Sequence, residues 1–205
     1  EGTDGSGKTS IISRVEAALR EKGYTVLVTR EPGGIRISER IRDVLLGKEY
    51  PEMDARTEAV LFAASRRQHL VEKILPALDA GSVVLCDRFV DSSLVYQGIA
   101  RGLGMDEVWS INQFAIESHL PELTIFVDVC PDVALARVFR NEKREVNRLD
   151  LETKSFHEKT YQGYQTVMKL YPERIKSIDG EGTIEEVSQR AMDLIVNALS
   201  KESHI

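Results

Sequence analysis

Cysteine and tryptophan are scarce in this sequence: 205 residues hold two cysteines and one tryptophan. Two thiols cannot supply a disulfide framework or a four-cysteine zinc site. Cys86 and Cys130 each end an apolar run (83–86 and 126–130), so both read as buried thiols of a reducing cytoplasm. No apolar run reaches the ~18 residues of a membrane span, and no secretory leader is visible. Positive charge is in deficit, 27 Lys and Arg against 33 Asp and Glu, for a net charge of −6. That balance excludes a protein whose whole surface tracks a nucleic-acid polymer. Any phosphate must instead meet a local basic site. An Asn-Lys-x-Asp guanine-reading element is also missing, which removes the GTPase switches, and motor ATPases usually need a longer chain.

What is present is a steady alternation of helix and strand without repeats or a composition break, so residues 1–205 read as one domain. Apolar residues at helical spacing run over 10–22, 38–46, 57–78, 91–100, 106–118, 132–140, 151–170 and 183–199. Strands are expected at 24–29, 82–86, 123–129 and 174–178, and the runs 83–86 and 124–129 do not alternate polar with apolar, as when both faces are covered. Strands separated by helices require right-handed crossovers. The fold class is therefore α/β, three layers around a parallel central sheet.

At the start, Gly2-Thr3-Asp4-Gly5-Ser6-Gly7-Lys8-Thr9 fits G-x-x-x-x-G-K-[ST], and a helix follows from Ser10. Its glycines let backbone N–H groups close on phosphate oxygens, Lys8 reaches the β and γ phosphates, and the Thr9 hydroxyl suits Mg²⁺. ATP with Mg²⁺ is the implied ligand. Segments of this kind normally follow a strand, so an apolar strand upstream of residue 1 is expected.

Asp87-Arg88-Phe89 follows the strand 82–86, at the end where open α/β sheets bind ligands. Asp87 suits Mg²⁺ and Arg88 a phosphate, with Asp128 a competitor for the metal role. Arg140, Lys143, Arg144 and Arg148 fall within nine residues, and the segment of about 141–150 reads as a lid over phosphates. No histidine is placed as a general base. A monophosphate acceptor needs none, being largely dianionic at pH 7, and its obstacle is repulsion between two anions. The residues thus favour a nucleoside monophosphate kinase, with a nucleotide-binding module lacking turnover as the rival reading.

The phosphate loop, Arg30-Glu31-Pro32-Gly33-Gly34, Phe62-Ala63-Ala64-Ser65-Arg66-Arg67, Asp87-Arg88-Phe89 and Asp91-Ser92-Ser93-Leu94-Val95-Tyr96-Gln97-Gly98 resemble, in order and spacing, the thymidylate kinases. The likeness covers nearly the whole chain and departs at Phe89, where many relatives have Tyr or His. It implies transfer of a phosphoryl group from ATP to dTMP, giving dTDP on the way to dTTP. By resemblance Asp4 would bond the 3′-hydroxyl, while Arg42 and Arg88 would clamp the acceptor phosphate. Phe62 would stack on thymine, and Arg66, Ser93 and Gln97 would read its edge. Tyr96 would exclude a 2′-hydroxyl, Glu31 would lie near the sugar and the magnesium network, and Pro32 would belong to the substrate-binding set. Some members carry a basic residue in the phosphate loop; Gly5 stands there here, so the catalytic charge should come from the lid, from Arg144 or Arg148. A homodimer is expected on the same ground.

Overall fold

A computed structural model describes residues 1–140 and 147–202. In order, its elements are α1 (Lys8–Glu21), β1 (Val26–Arg30), α2 (Arg36–Leu46), α3 (Ala55–His69), α4 (Leu75–Asp79), β2 (Val83–Asp87), α5 (Val90–Ser93), α6 (Met105–Ile116), β3 (Thr124–Asp128), α7 (Pro131–Arg140), α8 (Lys154–Leu170), β4 (Ile175–Asp179) and α9 (Ile184–Glu202). The helix expected over 57–78 is continuous but includes a π-helical stretch, Leu70–Ile74, and a second, Leu94–Ala100, continues α5. The helix expected from 151 starts later. A 3₁₀ turn covers Leu149–Leu151, and Thr153 caps α8 by accepting the Phe156 N–H at 3.2 Å.

The strands form two parallel ladders, β1 with β2 and β3 with β4. The backbone of Glu1 lies against β3, donating to Ile125 O at 2.8 Å and accepting from Val127 N at 3.0 Å. An apolar cavity of about 170 Å³ between the ladders is lined by Leu85, Cys86, Ile125 and Val127.

Successive strand residues serve opposite faces, which explains the unbroken apolar runs. Val83, Leu85, Ile125 and Val127 pack with Ile11, Val15 and Leu19 of α1 and Val187, Ala191 and Met192 of α9. Val84 and Cys86 face the opposite way, toward Leu70, Ile74, Val90 and Ile116, and Phe126 joins Tyr96, Tyr164 and Val167. These are three layers, helix, sheet and helix. Among the described residues no helix is long and apolar enough to cross a membrane.

The expectation of two buried thiols holds for one. Cys86 lies on the strand, where burial raises its pKa well above the ordinary thiol range, while Cys130 is exposed because β3 ends at Asp128 and the chain turns outward into α7. Both are free.

The ladders are tied to α5 by a nearly buried bidentate pair. Arg174, just before β4, donates to both carboxylate oxygens of Asp91 at 2.6 Å each, and Thr124 at the head of β3 donates to the same group at 3.0 Å. Asp91→Ala would strand the arginine. A loss of about 3 kcal/mol is expected, and a Tm lower by about 6 to 12 °C in thermal unfolding. Asp91→Asn, which keeps an acceptor, should cost less.

Candidate active site

The phosphate loop gets its shape from two left-handed glycines. Gly7, at φ 93°, caps α1, and the first turn of that helix holds no acidic residue, so its N–H groups face the loop with their positive potential uncompensated. Gly5 has φ 84°, and a Cβ there would lie 2.0 Å from the carbonyl oxygen of Ala134. Helix α7 closes that position to any side chain. Lys8 donates to the carbonyls of Gly2 (3.0 Å) and Thr3 (2.9 Å). Burial, and then repulsion from Arg88, lowers its pKa to about 8.

Parallel pairing sets Arg30 beside Asp87 at the ends of β1 and β2. Thr9 donates to Asp87 Oδ2 at 3.4 Å, and Asp87 Oδ1 is buried without a hydrogen-bond partner among the described residues. An acceptor-only oxygen with no donor, next to a hydroxyl, is suited to a hard cation. Asp128, the competitor for that role, accepts instead from Tyr161 at 2.9 Å on the other ladder.

Arg88 leaves β2 with a left-handed backbone, φ 72°, uncommon for a side chain of its size. That bend aims its guanidinium at Asp4 Oδ1 (2.9 Å), Ser92 Oγ (3.2 Å) and the Tyr164 hydroxyl (3.3 Å), above the ring of Tyr96. The Tyr96 hydroxyl donates to the other oxygen of Asp4 at 3.3 Å. Tyr164 in turn donates to Glu1, whose carboxylate also accepts the Phe89 N–H at 2.7 Å. Arg42 donates to Pro32 O at 2.9 Å, and burial with repulsion from Arg30 lowers its pKa.

These groups share one cleft of about 470 Å³. It brings together Asp4, Gly5, Gly7, Lys8, Thr9 and Ser10 with Glu31, Pro32, Arg42, Phe62, Arg66, Asp87, Arg88, Ser93, Tyr96 and Gln97. Gly2, Thr3 and Ser6 shape the loop from behind. Arg148 is not brought to the cleft; it donates to Leu45 O at 3.1 Å and to Glu58. Arg144 and Lys143 lie outside the described residues, and Arg140 is exposed at the end of α7. The segment read as a free loop up to residue 150 is anchored at its far end, where Leu149 and Asp150 are buried.

Glu31 lines the cleft, yet both of its carboxylate oxygens are engaged within the protein. It is buried, and its two oxygens accept from Arg66 Nε (2.7 Å) and His69 Nδ1 (3.0 Å), a pairing that fixes Arg66. Arg66 also donates to Ser93 (3.0 Å), Asn112 and Phe89 O (3.0 Å). Four of its five N–H groups are thus committed, leaving one for the cleft.

Sequence reasoning missed Arg30 and Arg137, which line the cleft, and Glu1, Ser92 and Tyr164, which hold Arg88. Arg30 was signalled by its place at a strand end, and Arg137 by being one helical turn before Arg140. Tyr164 had no local signal.

A phosphate loop at the head of a helix, facing a pocket of arginines across a metal-suited aspartate, defines a P-loop nucleotide phosphotransferase of the nucleoside monophosphate kinase class. The family model described as "Thymidylate kinase" matches residues 1–191. A thymidylate kinase of Geobacillus thermodenitrificans is 56% identical over 199 residues, covering 97% of this chain and 88% of the relative. That of Oceanobacillus iheyensis is 54% identical over 202 residues, 98% and 90% of the two chains, and that of Clostridium novyi 54% over 187, 91% of each. The chain belongs to the thymidylate kinase family.

Lys8 gives a pH signature. Its lowered pKa means that it is about half deprotonated near pH 8 in the ligand-free protein, whereas triphosphate oxygens favour the charged form and raise the pKa again. Binding between about pH 8 and 10 should therefore take up a proton, and nucleotide affinity should fall as pH rises through that window. Calorimetry at pH 8.5 in buffers of different ionisation enthalpy checks this: uptake is expected in the parent protein and absent in Lys8→Met.

Proposed function

We propose that this protein transfers the γ-phosphoryl group of ATP to dTMP, giving ADP and dTDP for dTTP synthesis. One observation carries the reading: the phosphate loop and the pocket of Arg42, Arg88, Phe62 and Gln97 open into a single cleft, so donor and acceptor phosphates meet in it. The acceptor supplies its own nucleophilic oxygen. Lys8 and the loop N–H groups hold the donor phosphates, while Arg42 and Arg88 offset the charge of the acceptor. Asp4, held by Arg88 and Tyr96, sets the sugar relative to the donor cradle, and Tyr96 leaves no room for a 2′-hydroxyl. Phe62 stacks on the base.

Thr9 and Asp87 would hold Mg²⁺, their pairing and the unpartnered Asp87 oxygen being the support. When bound, the ion would neutralise part of the charge of the donor phosphates. Position 5 has no room for a basic side chain, and Arg148 is committed to Glu58, so of the two lid arginines Arg144 is the one proposed to act on the transferred group. The lid spans about 141–150 of a single domain over 1–205. Asp179-Gly180-Glu181-Gly182, which begins at the last residue of β4, is the candidate for the adenine loop. Homodimerisation through α3 and α6, which pack together, is supported by Phe114 at 90% exposure and Val60 at 52% on their outer faces. The free thiols fit a cytoplasmic place.

A coupled assay of ADP release should show multiple turnovers with dTMP and far fewer with dCMP or dGMP. ATP binding without dTMP-dependent turnover, or thymidine preferred to dTMP, would overturn the reading. Arg144→Ala should lower kcat about a hundredfold with little change in the KM for dTMP. Phe114→Glu should convert a dimer to a monomer in sedimentation velocity.

A further inference from the structure

Outside the cleft, Glu58, on the first turn of α3 and 1% exposed, accepts four hydrogen bonds. Its Oε1 accepts from Gln97 Nε2 at 2.8 Å and from Arg101 Nε at 3.2 Å. Its Oε2 accepts from Arg101 at 3.1 Å and from Arg148. Arg101 continues to Glu152 at 2.6 Å and lies over the ring of Phe156. The cluster therefore holds two carboxylates and two guanidiniums, charges in balance, behind the wall of the base pocket.

An ionised carboxylate only accepts hydrogen bonds, so the atom of Gln97 that faces Glu58 must be its NH₂. The amide oxygen is then turned the other way, and Gln97 lines the cleft. An outward carbonyl oxygen can receive a donor and must reject an acceptor. Thymine offers N3–H at the middle of its polar edge and carbonyl O4 beside it, whereas cytosine offers a bare N3 and an amino group. The one uncommitted N–H of Arg66 suits O4 and opposes an amino group. Burial alone would raise the carboxyl of Glu58, but donation from Arg101, Gln97 and Arg148 outweighs it and holds the group below its ordinary value. Its acceptor-only state, and with it the direction of the Gln97 amide, depends on those arginines.

We propose that Glu58 is the positioning residue that selects the base: it fixes the Gln97 amide with its oxygen toward the pocket, and Arg148 sustains its charge. Glu58 touches no reacting atom and works through Gln97. The inference rests on dTMP being the acceptor and deepens that reading.

The test compares kcat/KM for dTMP and for dCMP in the parent enzyme, Glu58→Gln and Arg148→Met. A glutamine at 58 can donate as well as accept, so the amide of Gln97 gains a second orientation. The ratio of dTMP to dCMP efficiency should fall about ten- to a hundredfold in Glu58→Gln, mainly through a higher KM for dTMP. Arg148→Met should raise the same KM and lower the ratio less. A merely structural role would lower Tm and leave the ratio in place, and that outcome overturns the proposal. So does an Arg148→Met enzyme that loses kcat with an unchanged KM for dTMP, since Arg148 would then act on the phosphoryl group. Should Glu58→Gln not fold, the Arg148→Met ratio decides alone. Failure of the parent enzyme to phosphorylate dTMP would defeat the functional reading itself, whereas an active parent with an unchanged ratio defeats only this inference.

Discussion

The contact between Arg88 and Asp4 joins the two halves of the site, and much of the surrounding structure serves to hold it. Asp4 belongs to the phosphate loop and Arg88 to the end of β2, so a 2.9 Å ion pair sets the spacing between donor cradle and acceptor pocket. Arg88 adopts a left-handed backbone that costs energy, and is kept there by hydrogen bonds to Ser92 and Tyr164 and by the face of Tyr96. Glu1 stabilises that arrangement from beneath, accepting from Tyr164 and from the N–H of Phe89. A cation so placed can neutralise an incoming dianion without moving its own support.

The same logic governs the acidic chain as a whole. Many of its cations are exposed, but several are sunk into the molecule and matched to carboxylates. Arg66 is 1% exposed and pairs with Glu31; Arg101 and Arg148 pair with Glu58; Arg174 pairs with Asp91. Buried pairs of this kind add little net stability against apolar replacements, since desolvation offsets most of the attraction. They do fix direction. Arg66 keeps one N–H for the cleft because Glu31, Ser93, Asn112 and Phe89 take the other four. Glu31, in turn, is held by His69, whose other ring nitrogen meets Thr29 at 2.7 Å.

How much of this was legible depends on whether the information is local. The phosphate loop was fully legible, because its chemistry is carried by eight consecutive residues whose spacing is the function. Layer order followed from apolar runs without alternation, and the structure bears it out in the opposed partners of Val83 and Val84. Asp87 was preferred over Asp128 on its neighbouring arginine, and Thr9 pairs with Asp87. Long-range partners were not legible. Tyr164 lies 76 residues from Arg88 and Arg148 lies 90 from Glu58, so no window of sequence holds both members. Glu31 was read as a ligand-facing group because its loop is; only the tertiary placement of Arg66 and His69 shows both oxygens occupied.

Gly5 shows how one backbone position constrains the chemistry of a distant segment. A side chain there would collide with the backbone of Ala134, so α7 leaves no room for a basic side chain at that position. Apart from Lys8, the cationic side chains that line the cleft therefore come from other elements. Arg137 lines it from α7. Arg148, beyond that helix, is fastened to α2 through Leu45 O and to α3 through Glu58. Helix α7 meets the phosphate loop, and Arg148 meets Glu58 behind Gln97. Contacts between elements far apart in sequence therefore shape both the phosphate loop and the wall opposite it.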